Sequence, residues 1–407
     1  MKSNVHAIPI MHLSYCCRSL LRIYFSIAFY LAGCLPDALE TVMNRSRCST
    51  LLNPVAVISC TLTLVLCSVS AFGQGCVAAH TEQPLISGLS PNDQAQMAHH
   101  GDGFADKLHN LTVTIGFRTY SSYAHYVGTD YQAQRAALHN EVQNHVNLYD
   151  VSFNYQLTPR LSIIGDIPGL TATRHQQGNV NVYRDGGIGD ITAGVQTWIF
   201  RPPTESHGNV ALSFALKLPT GINDAQGTTI LSNGTRQIRP FDQSIQPGDG
   251  SWGFTLGTQG FRQTYFHTML YFTGSWLFNP RNTDGVKTFR SAPHEDVMSA
   301  TDQYLWRGGL SHNVPKVRNL ALSVGGRMEG VPVRDAFGAS DGFRRPGYVI
   351  SIEPGLAYSY HNNTLNVSAP WAMERNRKIS TADIINHTHG DAAFADYTII
   401  ASYTRHF

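Results

Sequence analysis

The feature that most constrains this chain is a two-residue alternation of apolar and polar side chains that recurs through its last three hundred or so positions. Leu111, Val113, Ile115 and Phe117 alternate with Thr112, Thr114, Gly116 and Arg118. Val151, Phe153, Tyr155 and Leu157 alternate with Ser152, Asn154 and Gln156. Val210, Leu212, Phe214, Leu216 and Leu218 alternate with Ala211, Ser213, Ala215 and Lys217, and Tyr348, Ile350, Ile352, Leu356 and Tyr358 with Ser351, Glu353 and Gly355. Successive side chains of a strand point to opposite faces, so each segment predicts a strand with one apolar and one polar or small face. Two architectures satisfy this pattern. In a sandwich the apolar face meets a second sheet; in a membrane barrel it meets lipid and the polar face lines the lumen.

Connection lengths separate the two. Twelve strands are predicted near 108–120, 147–157, 160–169, 188–200, 209–218, 251–261, 264–278, 302–313, 319–330, 347–359, 364–370 and 392–407. The links alternate between short (158–159, 201–208, 262–263, 314–318, 360–363) and long (121–146, 170–187, 219–250, 279–301, 331–346, 371–391). Short turns on the periplasmic side and long loops outside are the outer-membrane pattern, and an even strand count puts both ends of the barrel on the periplasmic side. The expected fold is therefore all-β, a transmembrane antiparallel up-and-down β-barrel of about 12 strands over 108–407, in the bacterial outer membrane. Composition agrees: only 14% of the 407 residues are charged, while aromatics reach 10% and glycines number 36. Soluble domains carry roughly 25% charged residues. A mean hydropathy of −0.16 is too polar for a helical membrane bundle. The net charge of +2 gives no electrostatic reason for a nucleic-acid partner.

The first 76 residues read differently. They hold all seven cysteines, Cys16, Cys17, Cys34, Cys48, Cys60, Cys67 and Cys76. A chain that crosses an oxidising periplasm unfolded benefits from lacking thiols in the part that folds later. Met43, Arg45 and Arg47 precede an apolar run from Leu51 to about Phe72, with small residues near Ala71 and Gly73, which is a secretory signal peptide over 43–73. An earlier apolar stretch ends Leu31-Ala32-Gly33-Cys34, a lipoprotein cleavage box. Two export signals in one chain conflict, so Met43 is read as the start and 1–42 as a mis-assigned extension. Lipidation at Cys34 and a retained helix interrupted by Pro54 are the alternatives. Segment 74–107 is polar and without alternation, and is expected to plug the lumen or hang in the periplasm.

The chain ends Tyr403-Thr404-Arg405-His406-Phe407. A terminal Phe with an aromatic four residues earlier is similar to the C-terminal signal read by the barrel-assembly machinery, although Arg405 stands where an apolar residue is usual. Trp198, Trp252, Trp276 and Tyr358 are candidates for interfacial aromatic girdles.

Four motifs suggest relatives. Gly187-Ile188-Gly189-Asp190-Ile191 opens a strand, and an alternating strand ends Leu218-Pro219-Thr220-Gly221. Gly248-Asp249-Gly250-Ser251-Trp252 opens the next, and Gly390-Asp391-Ala392-Ala393-Phe394-Ala395-Asp396-Tyr397 stands near the end. From about 108 to 407 the chain resembles the outer-membrane transporter family of the meta-pathway of phenol degradation. The resemblance implies an outer-membrane barrel passing small solutes, aromatic or hydrophobic ones among them, and supplies no catalytic residues.

The register turns Arg118, Asp166, Gln196, Lys217, Gln259, Arg327, Glu329 and Glu353 inward. Such groups either select solutes along a pore or satisfy one another and block it. A slip of one residue would turn all of them toward lipid. His99-His100 with Asp102, and His387 and His389 with Asp391, have metal-ligand residue types but match no defined spacing, so no metal and no cofactor is expected. No HExxH or Walker motif is present and no GxGxxG precedes a helix, and Ser311 and His312 are strand neighbours that face opposite sides. The expected function is passive passage of small solutes, with outer-membrane lipid, the assembly machinery and a small-molecule solute as partners. The alternatives are a non-conducting structural or surface-interaction barrel and, behind it, a hydrolase with a loop-borne site.

Overall fold

A computed structural model describes residues 110–407, apart from positions 316 and 318. The expected extension 1–42, signal peptide 43–73 and polar segment 74–107 lie outside the described residues. In chain order the elements begin β1 (Leu111–Val127), β2 (Asp130–Tyr131), α1 (Ala133–Ala137), β3 (Val142–Gln156), β4 (Leu161–Gln176), β5 (Val182–Ile188) and β6 (Thr192–Trp198). They continue with β7 (Gly208–Lys217), β8 (Gln226–Ile230), β9 (Arg236–Pro240), β10 (Gly253–Gln263), β11 (Thr268–Phe278), β12 (Thr283–Lys287) and β13 (Val297–Ser299). The last are β14 (Gln303–Asn313), β15 (Leu320–Val331), β16 (Gly347–Tyr360), β17 (Asn363–Ser368), β18 (Trp371–Arg377), α2 (Thr381–Ile385) and β19 (Ala392–His406).

These form a closed 12-strand antiparallel barrel. Each wall strand pairs with its sequence neighbour, and β1 closes the ring against β19 from Thr112↔His406 to Tyr126↔Ala392. The pairs β5/β6 and β17/β18 each act as one interrupted wall strand, since β4 pairs with both members of the first and β16 with both of the second. Each interruption lies beside a proline, which has no N–H for the ladder. The Gly189 N–H donates to the Pro168 carbonyl (2.8 Å) and the Ala369 N–H to the Pro354 carbonyl (3.0 Å). Outside the wall stand two small hairpins, β8–β9 and β12–β13.

The outer face is apolar around the ring. Ile115, Ile163, Val195, Leu212, Phe214, Leu256, Leu270, Leu310, Leu322, Ile352, Leu365 and Ile399 are all exposed, and among the described residues no second sheet covers them. Soluble monomers rarely expose apolar patches beyond a few hundred Å², whereas a barrel in lipid requires such a belt. The alternating partners Ala211, Ser213, Ala215 and Lys217 are buried inside.

Two expected loops proved to be mostly strand. The link expected at 170–187 shrinks to 177–181, because β4 runs on to Gln176 and β5 begins at Val182. Much of 121–146 is likewise taken up by the ends of β1 and β3, with β2 and α1 between them. About 9–11 residues cross a bilayer; β1 has 17 and β4 has 16, so this side of the wall rises past the hydrocarbon. Above the membrane neither face must be apolar, so alternation fades. Asn179, Asn181, Asp185 and Gly186 then read as a loop.

If the belt meets lipid, Phe214→Lys should destabilise the barrel by about 2–4 kcal/mol in equilibrium unfolding from lipid vesicles. The same replacement at the exposed loop residue Ser232 should stay within about 0.5 kcal/mol. Equal costs at the two positions would refute the register.

Candidate functional site

The inward strand positions build three groups of ions. The first is a ladder across the lumen. Arg118 Nη2 on β1 donates to Glu329 Oε1 on β15 (2.8 Å), and Arg327 Nη2 donates to Glu329 Oε2 (2.9 Å). Arg327 Nη1 lies 4.0 Å from Glu353 Oε2 on β16, whose Oε1 accepts from Arg307 Nη2 on β14 (3.0 Å). Ser368 also donates to Glu353 (2.8 Å). Arg118 and Glu329 sit four strands apart around the wall, so their contact spans a chord of the barrel rather than adjacent strands. Glu329 is 0% and Arg327 1% exposed, so the ladder is buried within the barrel. On β1, Gly116 makes room for the Asp150 carboxylate: a Cβ there would lie 2.1 Å from Asp150 Oδ1.

The other inward positions expected from the sequence form smaller contacts. Asp166 accepts from Ser152 (2.7 Å), and Gln259 donates to Gln196 (3.0 Å). Lys217 belongs to a second group at the loop end of β7. Its ammonium contacts Asp249 and lies 3.6 Å from Asp190. Asp190 accepts from the Gly221 N–H (2.9 Å) and the Asp249 N–H (3.0 Å). The Thr220 hydroxyl donates to the Gly189 carbonyl (2.8 Å) and accepts from the Ile191 N–H (2.9 Å). Three of the four sequence motifs, 187–191, 218–221 and 248–252, thus meet in one cluster. Gly221 and Gly248 cross so closely that a Cβ on Gly221 would sit 2.7 Å from Gly248 Cα. The cluster pins both ends of loop 218–252 to the interrupted wall strand.

The third group holds the middle of that loop inside the barrel mouth. Asp242 accepts from Arg345 Nη1 (2.9 Å) and from Arg174 Nη2 (3.1 Å), while its Oδ1 also accepts from the Ser244 N–H (3.0 Å). Burial opposes ionisation of Asp242, but Arg174 and Arg345 outweigh it and hold the carboxyl well below its usual range. Ser244, Ile245 and Gln246 follow, all buried. Between this latch and the Lys217 cluster lies a cavity of about 80 Å³ lined by Gly189, Asp190, Ser244, Asp249 and Arg345 among others.

The chain matches no protein-family model and no curated protein. Among solved structures it is similar to an outer membrane channel from Pseudomonas putida F1, at 12% identity and a TM-score of 0.51, covering 76% of this chain and 100% of that one. The β domain of the Bordetella autotransporter BrkA (10% identity, TM-score 0.42, 73% and 99% covered) and the P. putida toluene transporter TodX (10%, 0.41, 83% and 99%) are more distant. The fold is that of an outer-membrane β-barrel. Identity this low establishes shared architecture and leaves solute and selectivity to the chain's own residues.

Several sequence expectations change in detail. Trp198 points inward and packs edge-on against Phe261 at 5.9 Å, so it is no girdle residue; Trp252, Trp276 and Tyr358 face outward. Tyr403 is on the outer face, its hydroxyl donating to Asn363 (2.6 Å), and the Phe407 N–H donates to the Leu111 carbonyl (3.0 Å) at the seam of the ring. Ser311 is buried inside while His312 is outside against Thr268 (3.0 Å). Among the described residues no group of three or more His, Cys, Asp or Glu converges as a metal site. His389 contacts the Arg377 carbonyl, and Asp391 contacts His125 and Arg135. Arg307, Arg174, Arg345, Asp190, Asp242 and Asp249 were not expected. Arg307 follows inward Leu305 and outward Trp306 and precedes Gly308-Gly309, so no polarity pattern marks its face. The others lie at strand ends or in loops, where register gives no direction.

Glu329→Gln would leave Arg118 and Arg327 facing each other without their shared anion. Removing one partner of a buried ion pair costs about 3–5 kcal/mol, and equilibrium unfolding should register a loss of that order. A change under about 1 kcal/mol would show that the ladder is hydrated and weak. In the β12–β13 hairpin, burial pushes the Asp284 carboxyl up to about 6 against an ordinary 3.8, despite a hydrogen bond from the Val286 N–H. The folded hairpin holds this proton more tightly than the unfolded chain. Its stability should therefore fall as pH rises from about 4 to 6 and level off above. Hydrogen exchange of 283–299 should follow that course, and Asp284→Asn should abolish it.

Proposed function

We propose that the chain is an outer-membrane channel for passive passage of small solutes, closed at rest by the inserted loop 218–252. The observation that carries this reading is the buried ion ladder of Arg118, Glu329, Arg327, Glu353 and Arg307 inside the barrel. Replacing buried ion pairs with hydrocarbon of similar volume is often neutral or stabilising by 1–4 kcal/mol. A barrel selected only for stability has little need of five ions in its lumen, whereas a solute path requires polar walls. The shared architecture with an outer membrane channel supports the reading. The solute gradient drives passage, and no catalytic role is part of this function. Small aromatic and hydrophobic solutes of the phenol-degradation type are the candidate cargo. Membrane lipid surrounds the belt, and the C-terminal strand with Tyr403 and Phe407 is the segment offered to the assembly machinery.

One observation favours a second reading. The Arg118–Glu329 contact bridges the lumen, as expected of a non-conducting structural barrel. Planar-bilayer recording separates the two. On the channel reading the intact protein gives discrete small openings. Asp242→Asn, which weakens the hold of Arg174 and Arg345 on the loop, should increase open time several-fold. If the folded wild type and the variant are both silent, the barrel is structural.

A further inference from the structure

Beside the Asp242 latch a second cavity, of about 320 Å³ and open on one side, lies between the loop ends of β3, β4 and β19, the β8–β9 hairpin and loop 279–302. We infer that it is a binding site for a small organic anion with a flat apolar body, and that it sets the charge preference of the channel proposed above. On that proposal only this last role depends; the binding does not.

The first argument is charge. The lining holds Arg135, Arg174, Arg239, Arg290 and Arg345 against Asp242 and Asp391, an excess of three positive charges. Glu295, 3.0 Å from Arg290, takes one of them and leaves two. A single carboxylate, Asp242, serves both Arg174 and Arg345, and Asp391 serves Arg135 (2.6 Å) together with His125 (2.8 Å). Among the described contacts Arg239 has only the neutral Gln237, through Nε at 3.2 Å, so the far end of its guanidinium fork presents donors in the geometry a carboxylate accepts.

The second argument is shape. Phe241 and Phe289 form part of the same wall, and Phe289 is 41% exposed. Arg290 and Arg345 stack on Phe343 at 4.3 and 4.7 Å, which fixes their planes beside these rings. Cationic groups and aromatic faces on one wall match an anion carrying a ring better than a bare inorganic ion. The volume is at the lower end of the roughly 300–1,000 Å³ of small-molecule sites, room for one such molecule. Arg345 also lines the smaller cavity beneath, so the two spaces share a guanidinium at their boundary.

Calorimetry on the full protein, purified from outer membranes in detergent, tests the site with benzoate, acetate and benzyl alcohol. Benzoate should bind, and acetate and the neutral alcohol should bind at least tenfold more weakly. Arg239→Gln should weaken benzoate about tenfold and Arg239→Lys less. Arg160→Gln, in the short turn before β4 at the other end of the barrel, should change nothing. Absence of benzoate binding, equal binding of the alcohol, or an unaffected Arg239→Gln protein overturns the inference, given that each variant keeps the folded protein's gel mobility. Bilayer recording distinguishes failures. A conducting channel without benzoate binding retains the channel and removes the site, while a silent barrel that binds benzoate retains the site and removes the channel.

Discussion

Closure of the hydrogen-bonded ring is the constraint on which the structure depends. In hydrocarbon an unsatisfied backbone N–H or C=O costs several kcal/mol, so a sheet can cross lipid only if it has no free edge. The long ladder between β1 and β19 removes the last edge, and the Phe407 N–H to Leu111 bond finishes it at the base. Once the ring closes, every strand has one face toward lipid and one toward a narrow interior. The apolar belt and the buried polar lining are then two consequences of a single topological fact.

The interior follows from that narrowness. Twelve strands leave little width, and long side chains from β1, β14, β15 and β16 reach one another across it. Opposite them β7 and β10 present Ala211, Ser213, Ala215, Thr255 and Gly257, so one wall carries bulk and the other yields space. Charges so placed are held apart from water and must satisfy each other. That is why removing Glu329 is expected to matter more than removing any surface carboxylate.

The loop end is organised by a different economy. Loop 218–252 is fastened at its base by Asp190, Thr220 and the crossing of Gly221 with Gly248, and on its inserted return segment by Asp242 between two arginines. The base combines the Lys217–Asp249 ion pair, the Asp190 and Thr220 side chains on backbone groups, and two residues without side chains. The inserted segment relies on one carboxylate shared by two cations. Motion is therefore expected at the inserted segment, around a fixed base, between a small cavity and a larger basic one that share Arg345.

Sequence alone determined the number of wall strands, their order and which face meets lipid, because the two-residue period and the short turns encode these locally. Leu212, Phe214 and Leu216 declare their face by themselves, and Lys217 declares the other by parity. Parity also places Arg118, Arg327, Glu329 and Glu353 on the inner face, but it carries no information about which of them meet. The Arg118–Glu329 contact depends on barrel radius and strand stagger, which arise only when the ring closes. Trp198 was misjudged because an aromatic near a strand end fits an interface and an interior equally well. The motifs around Asp190, Thr220 and Asp249 were visible as strings, yet their union in one cluster, like the capture of Asp242 by Arg174 and Arg345, joins residues tens of positions apart. Local periodicity fixes the direction of a side chain; its partner is fixed by distance in space, which only the closed tertiary structure sets.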